Sequence, residues 1–378
     1  MPSIIYLLAL AIFAMTTSEF MVAGMMNELA HAFDASISSI GYLITAYAGA
    51  MVIGGPMLTA VLLHIRRKQA LLALIVVFFM GQSLGAMAWS YDSMMIARVI
   101  TGIASSAAFG VTVAISATLV SPNSRGKAAS IVLAGLMIAT VVGLPLTTII
   151  SQHFGWRISF WAVAGLVFLS GIMIQWLLPS SSTKDQTNLK EELTSFKNPH
   201  LWAAYLTSML IIGSTFAAFS YFTPIFTHVA GFSDASIPYL LALYGIFTVI
   251  GNIVVGKWAD RYTMRILVTG LTLLLVALVL FATGGEHKAI AVLSIILIGV
   301  TGVAMNPAMI TRVMKTAGSG TMVNTVHTSC ITFGVVIGSS FGGIGISAGY
   351  GFASPLWVGA CLAALGLLSL VPYLRKRD

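Results

Sequence analysis

The chain has 378 residues, of which 58% are hydrophobic and only 8% charged. Charged residues make up about a quarter of a soluble globular domain, so this composition excludes a water-soluble fold. A net charge of +8 would suit a nucleic-acid partner if the basic residues formed one patch, and their placement along the chain excludes that.

Apolar runs of about 20 residues can each carry a helix across a hydrocarbon core of about 30 Å. About twelve occur, near 4–27, 38–63, 69–90, 93–118, 129–151, 157–179, 199–228, 236–256, 266–284, 289–310, 321–345 and 352–374. When the loops are assigned alternately, one face receives only Arg157 and Lys288, and the other receives every remaining loop Lys and Arg. This is the positive-inside asymmetry. It places both termini in the cytoplasm and makes the basic excess a matter of topology, with no nucleic-acid partner. Membrane lipid is the expected surrounding. Cys330 and Cys361 fall within spans and point to neither a disulfide framework nor a metal site. The first run is too long for a signal-peptide core and has no basic leader, so it reads as a retained helix.

Span one contains Thr16-Thr-Ser-Glu-Phe-Met-Val-Ala-Gly24. Glu19 is the only acid inside any expected span, and Arg98, in span four, the only Lys or Arg away from a span edge. An ionisable side chain at the centre of a bilayer helix costs about 2.5–3.5 kcal/mol on the insertion scale, and such residues often mark ion or substrate paths. Both lie in the outer half of the membrane at similar depths, which predicts that Arg98 tunes Glu19 or its proton route. A structural ion pair, or Arg98 reaching outward to Asp92, explains the same residues without transport chemistry. Span four also reads Arg98-xxx-Gly102-xxx-Ser106-xxx-Gly110, a single helix face.

Span five carries Gly135-xxx-Ala139-xxx-Gly143 followed by Pro145. Small residues four apart let helix backbones approach, and Pro145 lacks an N–H and favours a bend. The expectation is a stiff, bent helix between two bundles, although ordinary tight packing gives the same pattern. The most hydrophilic segment begins at Ser180 and divides the chain into a bundle at 1–179, a cytoplasmic linker at 180–198 and a second bundle at 199–378.

Span seven holds Phe219-Ser-Tyr221 and Pro224, and its Thr215 is expected opposite Glu19. Between spans eight and nine the chain reads Gly256-Lys-Trp-Ala-Asp-Arg-Tyr-Thr-Met-Arg265, a loop in which Gly256, Asp260, Arg261 and Arg265 form an inner latch. Its first-half counterpart has Leu63 where the acid would stand. Asn324 and His327 lie close together in span eleven. A buried His or Asn is most often a helix–helix hydrogen-bonding group, and a second titrating site at His327 is the other reading.

The halves repeat one another. At an offset of 197, Tyr42 and Tyr47 match Tyr239 and Tyr244, and Val52-Ile53-Gly54 matches Val249-Ile250-Gly251. At 199, Gly135, Ala139 and Gly143 match Gly334, Gly338 and Gly342. Parallel six-span repeats with a site near the midplane are a transporter architecture. The predicted fold is all-α, with twelve transmembrane helices in two pseudo-symmetric six-helix bundles around a central cavity.

The Thr17–Gly24 word, Phe154-Gly-Trp-Arg-Ile-Ser-Phe160, Phe219-Ser-Tyr-Phe-Thr-Pro224 and Gly256–Arg265 together resemble the twelve-span drug:proton antiporter branch of the major facilitator superfamily. Within it the chain is similar to bacterial chloramphenicol-resistance and sugar-efflux exporters. The resemblance implies that Glu19 is the proton and substrate acid, that Arg98 belongs to the proton path, and that Gly135, Gly143 and Pro145 are the antiporter signature. Thr147 stands where a Gly is usual, and Thr332 where relatives often carry Asn.

The resulting expectation is a bacterial inner-membrane exporter, monomeric, that exchanges small drug-like or sugar-like substrates for protons. It needs no cofactor beyond the proton gradient. Phe20, Tyr47, Phe219, Tyr221 and Tyr244 are candidate cavity walls, with Asn324 and His327. A proton-coupled importer or facilitator of sugars is the alternative. A lipid-modifying membrane enzyme would need clustered nucleophiles, acids or metal ligands, and the seven His and eleven acids are scattered; the chain does not read as an enzyme.

Overall fold

The computed structural model describes all residues except 1, 63–64, 122–123, 180–195, 318–320 and 375–378. Among the described residues the secondary structure is helical, without strands. The helices are α1 (Ser3–Gly24), α2 (Met26–Phe33), α3 (Ile37–Leu62), α4 (Arg67–Ala86), α5 (Tyr91–Thr118), α6 (Arg125–Ile138), α7 (Leu144–Phe154) and α8 (Trp156–Leu177). They continue as α9 (Pro199–Phe219), α10 (Ile237–Gly284), α11 (Lys288–Thr301), α12 (Asn306–Ala317), α13 (Thr321–Ser347) and α14 (Ser354–Leu374). The expected linker lies almost wholly outside the described residues, as does Leu63.

Among the described residues, eleven helical stretches are long and apolar enough to cross a membrane. The difference from about twelve arises in α10, whose 48 residues run through both of the expected spans eight and nine. At 1.5 Å per residue a straight helix of that length would be about 72 Å long, more than twice the hydrocarbon thickness. Tyr262, at φ −126° and ψ 31°, breaks the helical backbone near its middle. The stretch Gly256–Arg265 is therefore helical on both sides of one residue, and the expected loop there is corrected. It contains no Pro, and its Lys, Ala, Arg and Met favour helix, so polarity alone did not require a loop.

Span five departs from a regular α-helix. Between α6 and α7, residues Ala139–Gly143 form a π-turn in which the Leu144 N–H donates to the Ala139 carbonyl. Pro145 follows at once and cannot donate to the preceding turn. The strict four-residue stacking of Gly135, Ala139 and Gly143 is thus widened by the π-turn. A similar π-turn, Ile225–Val229, follows Pro224.

The chain divides into two compact units, Met1–Lys184 with Ile237–Ala242, and Asp185–Ser236 with Leu243–Asp378. Within the first, α1 is the innermost helix and touches α3, α5, α6, α7 and α8; within the second, α9 packs on α12, α13 and α14. These are the two most buried of the membrane-length helices.

Glycine contacts show the internal repeat as packing. A Cβ on Gly135 would meet the backbone of Ala9 and Phe13 in α1; one on Gly334 would meet Met209 and Gly213 in α9, 200 positions further on. Gly102 lies against the Tyr47 carbonyl, and Gly299 against that of Tyr244, both 197 further on. Gly143 faces Thr17, so the small-residue face of span five packs on the first helix of its own unit.

This register also corrects the expected match of Thr215 with Glu19. The α1–α9 offset of 200 puts Phe219 at the Glu19 position, one helical turn beyond Thr215. Residue spacing within an apolar helix cannot fix such a register; backbone contact with the neighbouring helix does.

Candidate functional site

Four helices of the first unit converge on Arg98. Helix α1 supplies Ser18 and Glu19, α3 supplies Tyr47, α4 supplies Gln82 and α5 supplies Arg98 itself. Close approach of α5 to α3 is allowed by Gly102, which touches the Tyr47 backbone one turn beyond Arg98.

Arg98 is 1% exposed. Its Nη1 donates to the Ser18 carbonyl at 2.7 Å and, at 3.4 Å, to Ser18 Oγ; its Nη2 donates to the Glu19 carbonyl at 3.0 Å. The guanidinium carbon stands 4.1 Å from the centroid of the Tyr47 ring, a cation–π geometry. Arg98 thus turns inward onto α1, and not along the alternative outward route to Asp92. Its hydrogen bonds run to neutral oxygens, and Nε has no partner among the described residues. Glu19, whose backbone carbonyl takes one of these bonds, is half-buried.

The polar cluster continues beyond the residues singled out from sequence. Ser18 Oγ donates to Gln82 Oε1 at 2.7 Å, and Gln82 Nε2 donates to the Phe160 carbonyl at 3.4 Å. The Tyr47 hydroxyl donates to the Met15 carbonyl at 3.4 Å. Sequence reading missed Ser18 and Gln82 because neutral polar residues are frequent in membrane helices. The signal available was a single amide deep in span three.

Arg98 is not deprotonated in proteins, so its charge is fixed. Glu19 is the carboxylic acid of the cluster. Gln82→Leu is expected to leave the Ser18 hydroxyl without its acceptor, at a cost of about 1–3 kcal/mol. A thermal melt of the purified protein measures this; an unchanged melting temperature would show that Gln82 does not hold the cluster together.

In the second unit the equivalent positions are apolar. Phe219 stands for Glu19 and fully buried Ile295 for Arg98, beside Tyr244 in the place of Tyr47. The Phe219 and Tyr244 rings lie 5.2 Å apart, and Phe222 is 5.7 Å from Phe219. Phe20, Phe219 and Tyr244 are all buried. Tyr221 is fully buried, with its hydroxyl donating to the Ser339 carbonyl at 2.8 Å.

The remaining sequence candidates belong to other parts of the second unit. Asn324 is half-buried. His327 is buried, with Nε2 2.9 Å from Ser208 Oγ and its ring stacked on Tyr205 at 5.6 Å. Gly256 approaches Pro307. Asp260 accepts a hydrogen bond from Thr311 at 3.3 Å, and its backbone carbonyl accepts one from Lys315 at 2.7 Å. Gly256 and Asp260 therefore join α10 to α12. Arg261 and Arg265 flank the Tyr262 ring at 5.2 and 5.7 Å.

Known proteins share this chain's sequence and fold over most of its length. The model of the Major Facilitator Superfamily matches residues 8–327. The inner membrane transport protein YdhP of Escherichia coli K12 is 32% identical over 374 residues, covering 98% of this chain and 96% of that protein. The chloramphenicol resistance protein of Streptomyces lividans is 31% identical over 379 residues, covering 99% and 96%. Among solved structures, a bacterial homologue of the human lysosomal transporter Spinster, inward-facing and occupied, superposes with a TM-score of 0.78. That match covers 99% of this chain and 97% of the other at 15% identity, and it is a likeness of fold.

Proposed function

The chain belongs to the Major Facilitator Superfamily of membrane transporters, and from that premise we propose that it is a proton-coupled antiporter. It exports small drug-like or sugar-like compounds across a bacterial inner membrane by alternating access. Counting α10 as two spans divided at Tyr262, it crosses the membrane twelve times in two six-helix halves, with both termini in the cytoplasm, and works as a monomer.

What supports proton coupling most is the asymmetry between the repeats. One half keeps a titratable acid beside a buried, fixed arginine at Glu19 and Arg98, and the other fills the same positions with Phe219 and Ile295. A charged pair kept only for packing has a ready apolar alternative in this very fold, because the second half uses it. Intramembrane ionisable residues are functional groups by default. The 31% identical chloramphenicol resistance protein makes phenicols the first compounds to try, with sugars next.

The test uses inside-out vesicles holding the wild-type protein, with an acidic interior and a pH-sensitive dye. Phenicols, sugars, nucleosides and lipophilic cations are added in turn. One compound class is expected to release protons from the lumen. Gradient-independent equilibration of a sugar with no proton release would make the protein a facilitator and overturn antiport.

A further inference from the structure

The second unit contains a cavity of about 420 Å³ that lies apart from the residues discussed for proton exchange. It opens where the break at Tyr262 meets α12, the start of α9 and the end of α14. Its charged lining is Arg261, Arg265, Arg312 and Lys315, joined by His200, and no acid lines it among the described residues. The basic-residue asymmetry assigns this end of the unit to the cytoplasm.

Basic residues at a cytoplasmic helix end normally extend into water, and Arg312 was expected in such a loop. The structure overturns that: Arg312 lies inside α12 and is 7% exposed. Its Nη1 donates to Thr207 Oγ1 at 2.8 Å, and its guanidinium carbon sits 5.0 Å from the Tyr373 ring centroid. Nη2 is buried and has no hydrogen-bond partner among the described residues. Arg312 lines the cavity, and a buried guanidinium with no acid bonded to it among the described residues is an uncompensated charge, which costs several kcal/mol unless something offsets it.

The neighbours add to the deficit instead of relieving it. Lys315 spends its ammonium on neutral oxygens, the Asp260 carbonyl at 2.7 Å and Thr263 Oγ1 at 3.2 Å. The Asp260 carboxylate is held by Thr311 and does not line the cavity. His200, which opens α9, has Nδ1 3.0 Å from the Tyr373 hydroxyl. The N-terminus of a long helix adds a partial positive charge to the same space.

From these observations we propose that the cavity is a binding site for a phosphate group, carried on the head group of an anionic phospholipid or free in the cytoplasm. Planar guanidinium donors match phosphate oxygens in bidentate fashion, and three arginines with a lysine carry more than enough positive charge for a singly charged lipid phosphodiester or a doubly charged free phosphate. Basic pockets between helices on the cytoplasmic side take phospholipid head groups. The Tyr262 break lies between Arg261 and Arg265, which both line the cavity.

The experiment uses the full-length protein in nanodiscs of phosphatidylcholine, with and without phosphatidylglycerol or cardiolipin, and separately with inorganic phosphate. Native mass spectrometry reads bound lipid, and a thermal melt reads stabilisation. Wild type is compared with Arg312→Gln, and with Arg265→Gln and Lys315→Gln at the rim, which keep the test valid if the buried variant fails to fold. Retention of acidic lipid over phosphatidylcholine, reduced at least fivefold in the rim variants, assigns the site to a lipid phosphate. Stabilisation by inorganic phosphate in pure phosphatidylcholine, lost in the same variants, assigns it to the free anion. Equal retention of all lipids with no response to phosphate would overturn the proposal, as would binding unchanged by the rim substitutions.

Discussion

Replacing Glu19 with Gln is expected to abolish gradient-driven accumulation of substrate while leaving the protein folded. One proton moved through 100 mV supplies about 2.3 kcal/mol, which supports roughly fifty-fold accumulation at tenfold per 1.4 kcal/mol. Without a group that exchanges the proton, the ratio falls to about one. Gln keeps the size and hydrogen-bonding capacity of the side chain, and the Arg98 bonds run to the backbone carbonyls of Ser18 and Glu19. Those bonds survive the substitution, so a purely structural role for the acid predicts little change in either transport or melting. Transport of the substrate identified with wild type is measured in energised vesicles at several pH values. Loss of accumulation together with loss of its pH dependence, at an unchanged melting temperature, isolates proton exchange. Fifty-fold accumulation retained in the variant would place the proton carrier elsewhere.

The second large effect is on stability. Gly135→Val and Gly338→Val are each expected to lower the melting temperature by roughly 5–10 °C, from an overpacking cost of about 1–3 kcal/mol in a unit of this size. Side chains at these positions meet main chain, which cannot rotate away. A Cβ on Gly135 would run into Ala9 and Phe13, and one on Gly338 would press on the Gly213 carbonyl and lie 2.8 Å from the Ala217 nitrogen. A matched control is Gly110→Val in α5, where nothing lies within 4 Å and the shift should be small. Equal shifts at all three positions would mean that valine acts through helix propensity and that the α1–α6 and α9–α13 approaches do not limit stability.

Membrane class, helix content and internal repetition could all be read from the sequence, because each rests on a count along the chain. Apolar runs of bilayer length have few alternatives to helix, since unsatisfied backbone groups are not tolerated in lipid. Glu19 and Arg98 stood out for the same reason, as charges in segments that otherwise exclude them. The matching glycines of spans five and eleven were likewise visible as spacing, and the contacts of Gly135 and Gly334 show what the spacing serves.

Tertiary structure decided what depends on which helix lies beside which. Gln82 joins the Arg98 cluster only because α4 packs where Ser18 can reach it. Phe219, and not Thr215, takes the Glu19 position, since rotation and shift of one helix against another are fixed by backbone contact and leave no trace in a periodic apolar sequence. The helical path through Gly256–Arg265 and the burial of Arg312 follow the same principle. A polar residue near the end of a span can be solvated by water or by neighbouring helices, and only packing distinguishes the two.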